Sequence, residues 1–486
     1  MPRHLDEESP LLDRNSEEEQ RTHHHLDFAE DDERSPRVWP RSRKLINVGI
    51  IACMSILSPL ASSIYVPGIQ QIADDLRTDK DQVIATSTGF VVMLGLGPLV
   101  IAPLSETFGR RRVYIFCFSI FTLLQIPTAL APNISVLIAV RTVSGFFGSV
   151  GIANGGGTIN DMFPPSERAS IYGWYLLGPM LGPVLGPLLG GVIVQRLGWR
   201  WIYWVLTVIC ASNTLVGVAF LRESYAPILL AREKEQLDKD LDSNATSTYS
   251  YEGQDERPLR KKLLTSLKRP LVIFYQPIVI VLSCYQALVF STTYTVYTQM
   301  QEIFAESPYC FNTEQIGLLY ISVGLGSLTS VWFLVPQIDN VYNKLAAQNK
   351  GVALPEYRLP LTNIGAVLIP ISLFWFAWTV HHRLHWLIPI SALYFYGIGQ
   401  VMVINTVQNY FIDSFSKYAA SAIAAGSVLR SVLGGLTPLL ASKMFREIGY
   451  GLGTSVFAGI AVAIAPSPLI LFFYGQRLRE RFPVSF

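Results

Sequence analysis

The sequence predicts an all-α integral membrane protein: twelve transmembrane helices arranged as two pseudo-symmetric six-helix bundles. Three observations carry that expectation. Half of the 486 residues are hydrophobic and only 15% are charged, against roughly 25% in soluble chains. Apolar runs long enough to cross a ~30 Å hydrocarbon core as helix recur near residues 45–66, 83–105, 113–131, 134–158, 171–194, 200–221, 272–298, 315–336, 360–380, 386–409, 419–442 and 452–474. These twelve runs divide six and six around a polar stretch, 222–271, that contains SNATSTYSYEGQDE.

The segments follow in order. Residues 1–44 hold twelve Asp/Glu and eight Lys/Arg without periodicity, which predicts a disordered tail. No basic start precedes an apolar core there, so no cleavable signal peptide is expected. Spans 1–6 occupy 45–221. The linker 222–271 carries amphipathic patterns at 228–241 and 259–271, expected to lie as helices on the membrane surface. Spans 7–12 occupy 272–474, and 475–486 form a tail. With the N-terminus inside, 29 of the 38 Lys and Arg fall in inner loops and tails and seven in outer loops. Cationic loops stay cytoplasmic, so both termini and the linker are expected there. Four of the five cysteines lie in spans, which argues against a disulfide framework. The net charge of +2 offers nothing to a nucleic acid, and no cofactor or metal site is expected.

Charged residues near membrane depth carry the functional expectations. APLSETFGRRRVY (102–114) places Glu106 at a helix end, Gly109 in a tight turn, and Arg110 and Arg111 after it. In span 4, Arg141 interrupts the apolar run of VRTVSGFFG, where a charge costs at least ~2.5 kcal/mol. Arg430 does the same in span 11 (SVLRSVLGGLTPLL). No Asp or Glu lies deep in a span; Glu106, Asp161 and Asp413 all sit near cytoplasmic ends. Span 5 reads GPMLGPVLGPLLGG, with Gly178, Gly182, Gly186 and Gly190 in step with Pro179, Pro183 and Pro187. Four residues advance a helix by about 400°, so the glycine stripe drifts about 40° per step. Small residues at this spacing let helix backbones touch, and each proline frees a carbonyl four residues back. The pattern predicts a helix that touches a neighbour closely and still bends, hence a moving seam between the two halves.

These residues resemble the major facilitator superfamily, and within it the fungal twelve-span drug:proton antiporters. The loop after span 2 is similar to the family's G-x-L-A-D-R-x-G-R-K, with Ala102, Glu106 and Thr107 at three of its positions. Span 5 is similar to the family's G-x-x-x-G-P-x-x-G-G. LRESYAP after span 6 resembles P-E-T-Y-A-P. The resemblance implies a cytoplasmic latch at Glu106, Gly109, Arg110 and Arg111. It ties Arg141 to proton coupling, with substrate contact or snorkelling as other readings. For Arg430, transport and structural roles both stand open. It also implies contacts of span 5 with span 8 and span 2 with span 11, and a cavity lined by spans 1, 4, 7 and 10. Candidates on that wall are Tyr65, Asn154, Gln286, Tyr294, Asn405 and Asn409. The expected function is secondary active efflux of a small organic or amphiphilic compound by proton antiport through alternating access. A facilitator or importer without antiport is the alternative. The expected protein is a monomer in the cell membrane, not an enzyme, with lipid, substrate and protons as partners. Glu7-Glu8-Ser9-Pro10-Leu11-Leu12 resembles an acidic dileucine signal, which leaves a vacuolar or endosomal membrane as the alternative location. Asn133 and Asn244 head sequons, and His23, His24 and His25 form a histidine run.

Overall fold

The computed structural model describes residues 23–26, 28, 32, 34–240, 248–251, 259–415 and 419–482. The dileucine match and Asn244 lie outside the described residues. Span 1 covers Arg41–Asp75, span 2 Lys80–Phe108, span 3 Arg110–Ala129, span 4 Ile134–Met162, span 5 Pro165–Leu197 and span 6 Arg200–Phe220. In the second half, span 7 covers Pro277–Ala305, span 8 Thr313–Gln348, span 9 Thr362–His381 and span 10 Leu387–Ser414. Helix then runs over Ala419–Ile464 with one non-helical residue, Gly449 (φ 77°). Phe445 and Phe457 lie twelve residues apart, yet their rings are 6.5 Å from centre to centre. A straight helix would separate them by about 18 Å. The chain therefore turns back at Gly449, a backbone conformation that side chains resist, and spans 11 and 12 are 419–448 and 450–481. The twelve expected spans are all present.

Helix ends differ from the sequence reading where polar residues can still form helix. Span 8 was expected to stop at 336 but continues to Gln348, because NVYNKLAAQ prolongs the helix into water. Within it Ser330–Leu334 is π-helical, one residue ahead of Pro336, whose missing N–H disturbs the ladder. Span 1 starts at Arg41, inside the expected tail. His23–Leu26 (β1) pairs in parallel with Thr248–Tyr251 (β2), so ordered backbone occurs where a disordered tail and a plain linker were expected. The two amphipathic linker patterns are helices, Ala226–Asp240 and Leu259–Phe274. Asn133 caps span 4 by accepting from the Val136 N–H at 3.0 Å. All five cysteines are free.

One apolar core lies mainly in spans 1–6 and takes in Tyr294 of span 7, and two lie mainly in spans 7–12 and take in Met180 and Val184 of span 5. The halves meet along spans 2 and 11 and along spans 5 and 8. Thr88 Oγ1 donates to the Gly435 carbonyl at 2.7 Å. At Gly95 a methyl group would stand 2.2 Å from Ser431 Cβ, so spans 2 and 11 cross with backbones nearly in contact.

Candidate functional site

The glycine row of span 5 packs against span 1, inside the first half. A Cβ on Gly178 would meet Ile56, on Gly182 the Ile56 carbonyl at 2.8 Å, on Gly186 the Ser63 hydroxyl, and on Gly190 the Ile64 carbonyl at 2.1 Å. The expected seam between halves is therefore corrected: these four glycines close the first bundle. The contact with span 8 uses the neighbouring face. There a Cβ on Gly317 would stand 2.9 Å from the Pro187 carbonyl, one on Gly191 2.8 Å from the Thr313 carbonyl, and one on Gly324 would meet the Val184 side chain. The prolines differ in role. Pro179 and Pro183 line the central cavity, while Pro187 presents its carbonyl to span 8.

That cavity lies between the halves, toward the end that carries the termini, and holds about 990 Å³ of space counting the part open to solvent. Its wall comes from spans 1, 2, 4 and 5 on one side and 7, 10 and 11 on the other. The expected lining by spans 1, 4, 7 and 10 was incomplete, because span 5 contributes six residues, more than any other span. Stacked Tyr172 and Tyr175 (5.8 Å) face it from the first half, and Phe290 with Tyr294 (6.0 Å) from the second. Of the six expected wall residues, only Tyr294 lines this cavity. Tyr65 borders a small side pocket with Tyr294. Asn154 accepts from Ser105 at 3.0 Å, Asn405 accepts from Asn409 at 2.8 Å, and Gln286 is buried in span 7.

The two intramembrane arginines part company. Arg141 is 2% exposed and enclosed by the first half. Its guanidinium lies 4.9 Å from the Tyr65 ring, 5.3 Å from Phe90 and 5.6 Å from Tyr203. It donates to the Tyr203 hydroxyl at 2.8 Å and to the Ala61 and Thr86 carbonyls at 3.3 and 3.5 Å. Arg141 neither snorkels nor reaches the cavity. Arg430 does line the cavity, lying 4.4 Å from the Phe290 ring and donating to Ser427 at 3.3 Å.

At the end bearing the termini, Arg110 is buried and gathers the predicted latch. It lies 3.3 Å from Asp161 and 3.8 Å from Glu106, and donates to Ser105 at 2.6 Å. Sequence reasoning missed its fourth partner, Glu223, in the LRESYAP stretch. Glu223 accepts from the backbone N–H groups of Arg110 (2.9 Å) and Arg111 (3.1 Å), so it caps the positive end of span 3. Gly109 (φ 96°) leaves the space, since a Cβ there would stand 2.5 Å from Glu223 Oε2. Tyr225 lies under Arg110 (5.0 Å), its phenol pushed up to about 12 by burial and then by Glu106.

The second half repeats the plan with other residues. Arg358, just before span 9, bonds Asp339 from span 8 and Asp413 from span 10 (2.8 Å). Burial works against the Arg358 charge, but Asp413 and Asp339 outweigh it and hold its pKa above the usual arginine value. Glu356 is held by Arg479 of span 12 at 2.8 and 3.0 Å. All these bonds stay within one half. At the opposite end the ion pairs cross between halves: Lys80–Glu302 (3.2 Å), Asp81–Arg446 (2.7 Å) and Arg196–Glu314 (3.0 Å).

Two bundles clamped at one end around a central cavity, with separate charge clusters at the other, define a multi-span membrane carrier. The chain belongs to the Major Facilitator Superfamily, whose profile matches residues 51–438. It is 38% identical over 463 residues to the efflux pump radE of Floropilus chiversii, covering 94% of this chain and 85% of that one. It is 36% identical over 462 residues to the MFS-type transporter tndD of Aspergillus flavipes, covering 93% and 84%. The xylose transporter XylE of E. coli, solved in a partially occluded inward-open conformation, superposes with a TM-score of 0.65 at 15% identity. That match covers 89% of this chain and 98% of XylE.

Proposed function

We propose that this chain exports small amphiphilic organic compounds from the cell by alternating access, in exchange for protons. The observation that carries this reading is the cavity between the halves, walled mostly by aliphatic and aromatic side chains with a few uncharged polar groups and one arginine. Such a wall suits an organic substrate better than an inorganic ion. One relative, radE, carries efflux in its name, which supports the direction. Because the loops on that side carry most of the cationic residues, we take both termini as cytoplasmic, which makes this a state closed toward the outside. Glu106, Gly109, Arg110 and Arg111 then form an inner latch, unengaged with the second half in this state. Asp161, buried against Arg110, is the acid we assign to proton exchange. The plasma membrane is the proposed location, with the vacuolar membrane as the alternative.

A second reading, transport without proton exchange, draws on a specific observation: among the described residues no Asp or Glu lines the cavity. Compounds retained by cells lacking the protein and by cells overexpressing it, with and without a proton ionophore, test both. Export that stops when the gradient collapses supports antiport. Export that continues sinks antiport and leaves the second reading, and equal retention in both strains sinks export altogether.

A further inference from the structure

We infer that the central cavity selects organic anions, planar aromatic molecules bearing a carboxylate or similar acid, and that Arg430 is the residue that binds the negative group. The inference rests on the export reading above and gives its substrate a charge.

Arg430 is 8% exposed, and its only hydrogen bond among the described residues goes to Ser427. Its Nε–H is buried without an acceptor. No carboxylate of the described residues pairs with it, and no other charged residue lines the cavity. A buried guanidinium without a counter-charge is costly, and the face of Phe290 offsets only part of that. Arg141 supplies the contrast: three aromatic rings and three oxygen acceptors surround it. Where this chain buries an arginine for structure, it satisfies it from within. Arg430 keeps an unpaired N–H, on the wall of the central cavity. A carboxylate entering there would accept two parallel N–H bonds from the guanidinium.

The rest of the wall agrees. The Tyr172–Tyr175 pair and the Phe290–Tyr294 pair line the cavity from opposite halves, so an aromatic body bound there would lie between both bundles. Gln408 Oε1 is also buried without a partner, and its amide can turn to offer N–H to the same anion. A cationic amphiphile would find the same rings but would meet Arg430 with nothing to screen it.

Three fluorescent probes with one body test this: pyrenebutyrate, the neutral pyrenebutyramide and the cationic pyrenebutylammonium. Binding to the purified full chain is read from pyrene emission. Pyrenebutyrate is expected to bind at least about tenfold tighter than the ammonium probe. Arg430→Gln should weaken pyrenebutyrate by about 10- to 100-fold, the loss of charge-assisted hydrogen bonds, and leave the amide within about twofold. Arg430→Lys should recover part of that loss. Without probe, Arg430→Gln should unfold at the wild-type temperature or above it, because an uncompensated charge is gone; a fall of several degrees would return Arg430 to a structural role. Equal or tighter binding of the ammonium probe, unchanged pyrenebutyrate binding in Arg430→Gln, or no pyrenebutyrate binding to the wild type would each overturn the inference. Retention of the same probes by cells separates it from the export reading. Expulsion of the ammonium probe but not of pyrenebutyrate leaves export standing and ends anion selection. Expulsion of neither by overexpressing cells ends the export reading, while the binding measurements still decide the role of Arg430.

Discussion

Arg141 and Arg430 look alike in the sequence, each a lone cation in an apolar run, and only their neighbours separate them. The neighbours come from residues far along the chain, Tyr203 for one and Phe290 for the other, so spacing could not reveal the difference. Arg141→Lys keeps the charge but loses the planar fork that reaches Tyr203, Ala61 and Thr86 together. We expect it to lower stability by about 2–3 kcal/mol, measured by thermal unfolding in detergent. Transport per folded molecule should stay within about twofold, and a stable but inactive Arg141→Lys protein would contradict the structural role. The charge cluster proposed as a latch was partly legible, because Glu106, Gly109 and Arg110 lie within five residues of one another. Asp161 and Glu223 complete it from 51 and 113 residues beyond Arg110, beyond what local spacing can encode. Asp161 is also the closer and more buried of the two acids paired with Arg110, at 3.3 Å against 3.8 Å for Glu106. Breaking a buried pair leaves an uncompensated charge at a cost of about 3–5 kcal/mol, whereas a half-exposed partner contributes about 1 kcal/mol or less. Asp161→Asn should therefore slow transport and lower the unfolding temperature more than Glu106→Gln. The reverse order in uptake assays would restore Glu106 as the principal acid.

At the scale of single helices, span 5 shows what a pattern can and cannot say. A four-residue glycine repeat announces close contact, and the contact is there. The repeat does not name the partner, because spans 1 and 8 flank span 5 on adjacent faces and both offer backbone. The drift of about 40° per step follows span 1, from Ile56 near Gly178 to Ile64 near Gly190. The existence of all twelve spans was readable because lipid demands a continuous apolar helix. Their ends were not, because helix continues wherever polar residues tolerate it, as in span 8 to Gln348. Two substitutions test the packing on one helix. A methyl at Gly190 would stand 2.1 Å from the Ile64 carbonyl, while at Gly173 it would meet nothing within 4 Å. Gly190→Ala should destabilise the protein by about 1–3 kcal/mol through overpacking. Gly173→Ala should be neutral or stabilising by up to about 1 kcal/mol, since alanine is the better helix former. Thermal unfolding of the two side by side gives the answer, and equal effects would refute the close crossing.

Across the whole molecule, the closed end is held by contacts weak enough to release. Lys80–Glu302, Asp81–Arg446 and Arg196–Glu314 all have side chains at least a quarter exposed, and exposed pairs contribute about 0.2–1 kcal/mol each. Together they bias the closed state by about 1–2 kcal/mol, roughly a factor of ten in population. A rigid salt-bridge lock would trap a carrier, whereas a bias of this size lets substrate binding reverse it. If the cargo is anionic and leaves the cell, the inside-negative potential adds about 2.3 kcal/mol per 100 mV to each charge exported, comparable to the bias. Asp81 is the point to test, because it accepts from both Arg446 and Ser442 across the interface. Asp81→Arg places two cations together and should open this end several-fold more often. Arg446→Asp places two carboxylates together and should do the same. Combining them restores opposite charges and should return the population toward wild type. Distances between spin labels on Cys310, which is exposed, and on Thr78→Cys, with the other four cysteines replaced, report the separation of the halves. The single mutants should show a larger long-distance component than wild type and the double mutant a smaller one than either single. If the double mutant opens as far as the sum of the singles, the Asp81–Arg446 pair does not hold the halves together, and the seal rests on Lys80–Glu302, Arg196–Glu314 and the helix crossings.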